Sequence, residues 1–495
     1  MERERTCRIE PSGPEMTGSV AGVVPERFQS ILRETRPLAE AFDARGFTLY
    51  LVGGVVRDTM LGRNRVAPDI DCTTDASPDE IEAILRSMKP ESLWTVGKKF
   101  GTIGAMLRTG SGSAPKGGPV RPIEVTTHRA EAYHPESRKP DVEFSTDIAA
   151  DLSRRDFTVN AMALSVLGLE LIDPFNGAID LAGGVLRTPL SPSLSFTDDP
   201  LRMLRAARFI AGYELKPDAE LIGAVREFGE RLAIVSAERI RDELDKLMVT
   251  PDPSAGLWFL VDTNLATYFL PELPAMALEQ DPIHRHKDVL AHTLAVVANT
   301  SPDRVLRLAA LLHDIAKPKT RSIGPNGVSF HHHDIVGARM ARDRLRALKY
   351  SNDDVADISE LVALHLRFHT YSMGWTDSAV RRYVRDAGPL LDKLNELTRC
   401  DCTTRNPKKA ERLAKRMDDL EARIAELRAQ EEIDSIRPDL DGNAVMDHLG
   451  AGPGRHIGEA LSMLLEARME DGPLGEEEAK RRLDMWWAKR CGTTS

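Results

Sequence analysis

The pattern of hydrophobic and polar positions changes character along the chain. Residues 47–54 form an apolar run that ends in a glycine pair, and residues 55–63 then follow helical spacing, which predicts a strand, a turn and a helix. The next predicted elements are a strand at 67–74, a helix at 77–88 with Ser77 as N-cap, and strands at 101–107 and 122–128. Up to about residue 175 the pattern therefore predicts a small domain of strands and helices.

Strand signals nearly vanish from Asp199 onward, where apolar residues recur at the i, i+3, i+4 spacing of packed helices. Residues 408–432 predict a long amphipathic helix of the kind found in coiled coils. The whole chain is thus predicted to be α+β, with a mixed sheet in its first part and helices after it.

Composition narrows the choice of protein class. A chain of 495 residues exceeds what one core usually organises, so two to four domains are expected. It has no stretch of eighteen apolar residues that predicts a membrane span, and residues 1–24 lack the apolar core of a signal peptide. The five cysteines are scattered, which favours reduced thiols and a cytoplasmic location. The net charge of −10 does not exclude nucleic acid, because basic residues cluster locally.

Two aspartates carry the main chemical signal. Asp69 and Asp71 stand two apart on a predicted strand, so both carboxylates project from one face and can share Mg²⁺ ions through oxygen ligands. Glu124, on a neighbouring predicted strand, can supply a third carboxylate. Two such ions can activate a hydroxyl and neutralise a leaving pyrophosphate. An Asp-x-Asp pair alone is more often a solvated surface feature.

The glycine pair lies between a strand and a helix. Missing side chains at Gly53 and Gly54 would let backbone N–H groups approach a triphosphate, and Arg57 follows on the helix. The interval to Asp69 is that of a strand, a turn, a helix and a strand, which places the glycines and the carboxylates at one edge of one sheet. This combination is more specific than either motif alone.

Four motifs in this order resemble the class II tRNA nucleotidyltransferase and bacterial poly(A) polymerase family: LVGGVVRDTMLG, DIDCTTDA, RRDFTVNAMA (154–163) and DDPLRMLRAARF (198–209). The match spans about residues 45–250. The resemblance implies that Asp199 and Arg202 act as a protein template that pairs with the incoming CTP or ATP. We predict that they are i, i+3 neighbours on one helix, with Arg205 and Arg208 continuing the stripe.

The segment RRDFTVNAMA supplies further candidate nucleotide contacts. Arg154 and Arg155 can clamp a phosphate, Asp156 can reach the sugar, and Asn160 matches the family's nucleotide contact. Residues 129–144 resemble the family's flexible loop, but their composition departs from the usual Gly/Asp-rich pattern.

A histidine-rich segment resembles the HD-type metal domain, in which imidazoles and carboxylates from separate helices converge on a divalent ion. The residues that match are His292, His313, Asp314, His333, His365 and Asp401. The resemblance implies a second divalent metal, and some relatives hydrolyse phosphate esters with this unit. His284, His286, His331 and His332 are predicted to be incidental.

The sequence hypothesis is a CCA-adding enzyme that uses CTP, ATP and Mg²⁺ to extend the 3′ end of tRNA. Its predicted parts are a disordered leader (1–25), a nucleotidyltransferase palm (26–175), a helical neck (176–280), an HD-type domain (281–405) and a helical RNA-binding tail (406–495). Basic residues in 381–385 and 408–416 are candidate RNA phosphate contacts. The alternatives are a poly(A) polymerase, an enzyme that adds only CC or only A, and an HD phosphohydrolase with a degenerate palm.

Overall fold

The computed structural model describes residues 19–20, 25–63, 69–108, 120–132, 141–278, 288–324, 327–370, 375–402, 407–430 and 436–492. The chain divides into two compact units. The first comprises Met1–Ser236 and Asp262–Tyr268, and the second comprises Ala237–Val261 and Phe269–Ser495. The predicted α+β class is confirmed, since a mixed sheet occupies the first unit and the second is mainly helical.

An eight-stranded sheet organises the described part of the first unit, in the order β1-β10-β9-β2-β3-β6-β5-β4. Its strands are β1 (Ser19–Val20), β2 (Leu49–Val52), β3 (Ile70–Thr74), β4 (Ser92–Trp94), β5 (Thr102–Arg108), β6 (Val120–Thr127), β9 (Ala163–Ser165) and β10 (Leu171–Ile172). Strands β3 and β6 run parallel, and the other neighbours are antiparallel. Two small pairs complete the unit: β7 (Arg129–Ala132) with β8 (Asp141–Phe144), and β11 (Val185–Leu186) with β12 (Lys216–Pro217).

The side-chain alternation of β3 explains how the sheet presents its polar face. Ile70 and Cys72 are buried, whereas Asp71 between them is exposed. Strand β6 repeats the pattern, with Ile123 and Val125 in the core and Glu124 exposed. Carboxylates therefore line one face of the two central strands while the opposite face joins the core.

Helices flank the sheet and then replace it. In the first unit they are α1 (Gln29–Asp43), α2 (Gly54–Met60), α3 (Pro78–Ser87), α4 (Ile148–Ser153), α5 (Gly177–Gly183), α6 (Pro192–Asp198), α7 (Leu201–Tyr213) and α8 (Ala219–Phe228). The prediction for α3 is confirmed: Ser77 caps it, and the Ser77 amide donates to Glu80 Oε2 at 2.8 Å in a reciprocal capping box. Within the predicted leader, β1 pairs with β10, and the rest of the leader up to residue 24 lies outside the described residues.

The second unit is built mainly from helices, most of which bury several apolar residues. They are α9 (Ala237–Met248), α10 (Ser254–Asp262), α11 (Glu272–Ala275), α12 (Val289–Asn299), α13 (Arg304–Leu312), α14 (Lys317–Thr320), α15 (His333–Ala347), α16 (Asn352–Leu364), α17 (Arg367–Thr370), α18 (Asp377–Ala387), α19 (Leu391–Asp401), α20 (Pro407–Gln430), α21 (Gly442–Leu449), α22 (Arg455–Asp471) and α23 (Glu476–Gly492). A short hairpin joins β13 (Ser322–Gly324) to β14 (Gly327–Ser329). The long helix predicted at 408–432 is confirmed as α20.

Candidate functional sites

Three carboxylates meet on the exposed face of the central strands. In the parallel register of β3 and β6, Asp71 lies directly opposite Glu124, so their side chains leave the same face of the sheet. Asp69 lies one residue before β3 and is exposed, two positions from Asp71. The arrangement offers hard oxygen ligands on two adjacent strands, which suits a divalent cation.

The electrostatics of Asp71 are those of a crowded anionic site. Its pKa is raised to about 6, first because the surrounding protein withdraws water from the carboxylate, and then because Glu124 and Asp69 repel its charge. The guanidinium of Arg155 acts in the opposite direction. The Asp71 side chain is nevertheless open to solvent on one side, so a cation can reach it.

The glycine turn lies beside these carboxylates. Strand β2 runs antiparallel to β3 with Leu51 opposite Cys72, so Gly53, which follows β2, lies where β3 begins. Gly53 has φ +67° and ψ −128°, a conformation that residues with side chains rarely adopt. A Cβ there would lie 3.1 Å from Arg155 Nη1. Glycine therefore permits both the turn and the close approach of a guanidinium.

Arg57 is buried among partners of its own unit. Its guanidinium donates to Asn160 Oδ1 and to the Tyr213 hydroxyl, and its Nη2 lies 2.8 Å from Asp58 Oδ1. It also lies over the Tyr213 ring at 4.1 Å. Arg57 connects α2 to α7, and the residue is only 6% exposed.

Asp156 is the anchor of a second buried network. Arg205 donates to Asp156 Oδ2 from Nε at 2.8 Å and Nη2 at 2.5 Å, and Asn160 Nδ2 donates to Oδ1 at 2.9 Å. Although burial opposes ionisation, Arg205 holds the pKa of Asp156 well below its usual range. The structure thus brings together three of the predicted nucleotide contacts, with Asp156 at their centre.

The predicted placement of Asp199 and Arg202 on one helix needs correction. Helix α7 begins at Leu201, and Asp199 is extended with φ −136° and ψ 100°. The cause is Pro200, because the residue before a proline is driven out of the α region. Asp199 instead lies in the turn before α7, where its Oδ1 accepts from the Leu201 amide at 3.1 Å.

Arg202 is held by neighbouring polar groups. Its Nη1 donates to Ser195 Oγ at 2.8 Å, and its Nη2 donates to the Arg154 carbonyl oxygen at 2.5 Å. Arg208, the last residue of the predicted stripe, lies over the Phe209 ring at 4.9 Å. Arg202 is therefore anchored to the segment that carries Arg154 and Arg155.

The histidine-rich unit gathers its predicted ligands into one cluster. Two sets have ligand atoms within 4.8 Å of one another, one of His292, His313 and Asp314 and the other of Asp314, His333 and His365. Asp401 joins them, since its Oδ1 lies 2.9 Å from His292 Nε2 and 3.5 Å from His313 Nε2. Residues from α12, α16, α19 and the ends of α13 and α15 thus converge.

Three imidazoles of this cluster are oriented alike. Their Nδ1 atoms lie 2.6–2.7 Å from carbonyl oxygens three residues earlier, at His313, His333 and His365. A donating Nδ1 leaves the Nε2 lone pair for a metal. The buried Nε2 atom of His365 has no hydrogen-bond partner among the described residues, and that of His313 lies 3.2 Å from Asp314 Oδ2. Burial and the charge of His313 lower the pKa of His365 to about 4, which keeps it neutral. The donor set therefore fits a divalent cation.

Sequence reasoning missed two polar side chains next to these sites. Lys317 Nζ lies 2.6 Å from Asp314 Oδ2, and the His-Asp-x-x-Lys spacing on one helical turn was the available signal. Asp151 is fully buried and binds Arg154 and Arg155. Its position three and four residues before these arginines would have indicated the contacts.

The candidate RNA contacts differ in availability. Arg382 and Arg385 lie in ion pairs with acidic side chains of the same unit, and Arg381 is buried. In contrast, Lys408, Arg412 and Lys415 are exposed along α20. The segment predicted to be a flexible loop comprises the paired strands β7 and β8 and the residues between them. Residues 133–140 lie outside the described residues. His284 and His286 also lie outside them. No helix in the described part of the chain is both long and apolar enough to cross a bilayer.

Comparisons with known proteins cover most of the chain. Three family models match: the poly(A) polymerase head domain at residues 49–187, the probable RNA and SrmB-binding site of polymerase A at 214–276, and the HD domain at 289–427. An A-adding tRNA nucleotidyltransferase of Deinococcus radiodurans is 36% identical over 357 residues, which cover 68% of this chain and 79% of that protein.

A CCA-adding enzyme of Anoxybacillus flavithermus is 31% identical to this chain, and the match covers 74% of this chain and 77% of that enzyme. The crystal structure of the Bacillus stearothermophilus CCA-adding enzyme in complex with CTP shares the fold, with a TM-score of 0.66 and 24% identity over 95% of this chain and all of that one. The chain belongs to the class II tRNA nucleotidyltransferase and poly(A) polymerase family, with an HD domain in its second unit.

Proposed function

We propose that the protein is a CCA-adding tRNA nucleotidyltransferase, which adds C, C and A to the 3′ end of tRNA from CTP and ATP without a template. The observation that carries the proposal is that Asp71 and Glu124 share one face of the sheet, close to the Gly53 turn where β3 begins. Relatives that add nucleotides to tRNA match the chain over most of its length. The free cysteines of the described residues are compatible with the cytoplasm.

The family uses divalent metal ions, and we assign Mg²⁺ to Asp69, Asp71 and Glu124. When bound, the metal lowers the pKa of the attacking 3′-hydroxyl and neutralises charge on the leaving pyrophosphate. The protein's own part is to bind and orient: Arg155 lies at the glycine turn, where a triphosphate can approach the backbone. This division of labour is typical of phosphoryl transfer, in which positioning and electrostatics dominate.

Nucleotide choice is assigned to Asp199 and Arg202. Cytosine and adenine share an exocyclic amino group, which the carboxylate of Asp199 can accept from. The contacts of Arg202 with Ser195 and Arg154 fix the guanidinium before a nucleotide arrives. A fixed pair of this kind can select C and A in the absence of a template strand.

The nearest alternative is an enzyme that adds only A, since one relative is named an A-adding tRNA nucleotidyltransferase. The decisive experiment supplies two tRNA substrates, one that lacks the whole CCA end and one that already ends in CC, with CTP and ATP together, and sequences the products. The proposal expects CCA on the first and a single A on the second. Extension of the second substrate alone would replace the proposal with A addition, and long A tails would replace it with a poly(A) polymerase.

A second activity is favoured by one observation in the HD domain, namely the buried Nε2 atom of His365, which has no hydrogen-bond partner among the described residues and lies in one cluster with Asp314 and His333. We propose that this cluster holds a divalent cation and hydrolyses phosphate esters. The test incubates the protein with a 2′,3′-cyclic nucleotide and with a phosphomonoester in the presence of different divalent ions. Metal-dependent hydrolysis that His313→Ala abolishes is expected, and the absence of hydrolysis with every metal would leave the cluster a structural role only.

A further inference from the structure

Asp151 is a fully buried carboxylate near the end of α4, with 0% of its surface exposed. Its Oδ1 accepts from Arg154 Nη2 at 3.3 Å and from the Arg129 backbone amide at 3.3 Å, and its Oδ2 accepts from Arg155 Nη2 at 3.1 Å. One side chain thus connects two adjacent arginines to the first residue of β7.

The two ends of the Arg155 guanidinium face different partners. Nη2 binds Asp151, whereas Nη1 lies 3.1 Å from the point where a Cβ of Gly53 would be. The positive charge of Arg155 is also close enough to lower the pKa of Asp71. Asp151 therefore binds one edge of the Arg155 guanidinium, and the opposite edge of the guanidinium faces the glycine turn and the carboxylates.

The same carboxylate also binds the side chain of the neighbouring Arg154. Arg154 binds Asp151 through its side chain, and its backbone carbonyl accepts from Arg202. Although burial opposes ionisation, Arg155 and Arg154 hold the pKa of Asp151 below its usual range, so it is charged at neutral pH. Burying an ion pair contributes little net stability, and such pairs are often retained because they fix geometry.

We propose that Asp151 is a positioning residue for nucleotidyl transfer, which aims Arg155 at the phosphates of the incoming CTP or ATP. This inference rests on the proposed function, because it places the triphosphate at the glycine turn. When one edge of a guanidinium is fixed by a carboxylate, the other edge can bind a phosphate with little further loss of side-chain entropy. A freely rotating side chain would lose more entropy on binding.

The test is a double-mutant cycle of Asp151→Asn and Arg155→Ala, assayed for the KM of CTP and ATP, for kcat, and for equilibrium binding of CTP with Mg²⁺. Asp151→Asn is expected to raise KM and weaken CTP binding about tenfold, with a smaller change in kcat. If Asp151 acts through Arg155, the double variant binds CTP no worse than Arg155→Ala alone. A merely structural role would give additive losses.

Asp147→Asn is the matched control, because it removes the same charge from the other end of α4. The Asp147 carboxylate caps the helix by accepting from the Ala149 amide at 2.8 Å, and asparagine caps equally well. It should retain the wild-type KM and melting temperature. If Asp151→Asn does not fold, Asp151→Glu replaces it in the cycle, since it keeps the charge but displaces the oxygens.

Additive effects of the two substitutions, or CTP binding unchanged in the folded Asp151 variant, would overturn the inference. These results differ from failure of the proposed function, which would appear as a wild-type protein that adds nothing to tRNA. Even if the wild type adds no nucleotide, CTP binding by the four proteins of the double-mutant cycle can still be compared, because binding does not require turnover.

Discussion

At the scale of single residues, the site depends on close approaches that only certain side chains allow. Gly53 leaves room for Arg155, and the alternation of β3 turns Asp71 away from the core towards Glu124. The carboxylates were predictable because a period of two determines which face they share. The surroundings of Arg57 were not predictable, since Asn160 and Tyr213 lie far away in the sequence. The contacts of Asp151 with Arg154 and Arg155 are local, and their i, i+3 and i, i+4 spacing was the overlooked signal.

Gly53→Ala tests the glycine turn. The new Cβ would meet Arg155 Nη1 and require a strained backbone, which costs about 1–3 kcal/mol. We expect a lower melting temperature and a loss of kcat/KM for CTP of at least about tenfold. Gly223→Ala, in the interior of α8 with open space around it, should instead raise the melting temperature. Equal effects of the two substitutions would contradict this account.

The raised pKa of Asp71 predicts a pH dependence of metal binding. The metal-free folded protein holds a proton on Asp71 up to about pH 6, above its ordinary range, so ionised Asp71 costs stability at pH 7 and that cost disappears as pH falls. Protons and Mg²⁺ then compete. The Mg²⁺ concentration for half-maximal nucleotide addition should rise as pH falls from 8 to 5.5, and a constant midpoint would show that Asp71 is not a ligand.

At the scale of elements, helix boundaries decide where functional side chains point. The spacing of Asp199 and Arg202 in the sequence suggested one helix, but Pro200 keeps Asp199 extended, so Asp199 lies in the turn before α7 and only Arg202 lies on the helix. The helix α3 was predictable in full because its capping signal is local.

Arg57→Ala tests whether this residue joins elements or binds nucleotide. Its contacts with Asn160 and Tyr213 connect α2 to α7, and breaking a buried charged network costs about 3–5 kcal/mol. We expect a large fall in the free energy of unfolding. Arg63→Ala, which loses an exposed hydrogen bond to the Gly212 carbonyl, should cost little. A higher KM for CTP at unchanged stability would make Arg57 a nucleotide contact instead.

At the scale of the whole molecule, the two units carry separate chemical groups. The carboxylates and the glycine turn belong to the first unit, and the histidine cluster belongs to the second. The net charge of −10 gave no indication of an RNA partner, because the relevant charges are local. The sequence predicted both clusters through motif order, but the contacts of the arginines at 381–385 depend on packing between distant helices.

The exposed cations of α20 give a prediction for tRNA binding. Lys408, Arg412 and Lys415 are accessible, so replacing all three with glutamine should raise the KM for tRNA. The slope of the logarithm of tRNA affinity against the logarithm of salt concentration should also become shallower, by about one unit for each lost phosphate contact. Arg382→Gln removes a cation already paired with Glu466 and Glu470 and should leave the slope unchanged. An unaltered slope in the triple variant would place the RNA elsewhere.

The central claim is that Asp71 carries nucleotide addition, independently of the HD cluster. The most direct measurement compares Asp71→Ala and His313→Ala with the wild type on a tRNA that lacks its CCA end, with CTP and ATP, by sequencing the products. We expect the wild type and His313→Ala to complete CCA, and Asp71→Ala to add no nucleotide. Continued addition by folded Asp71→Ala would contradict the claim.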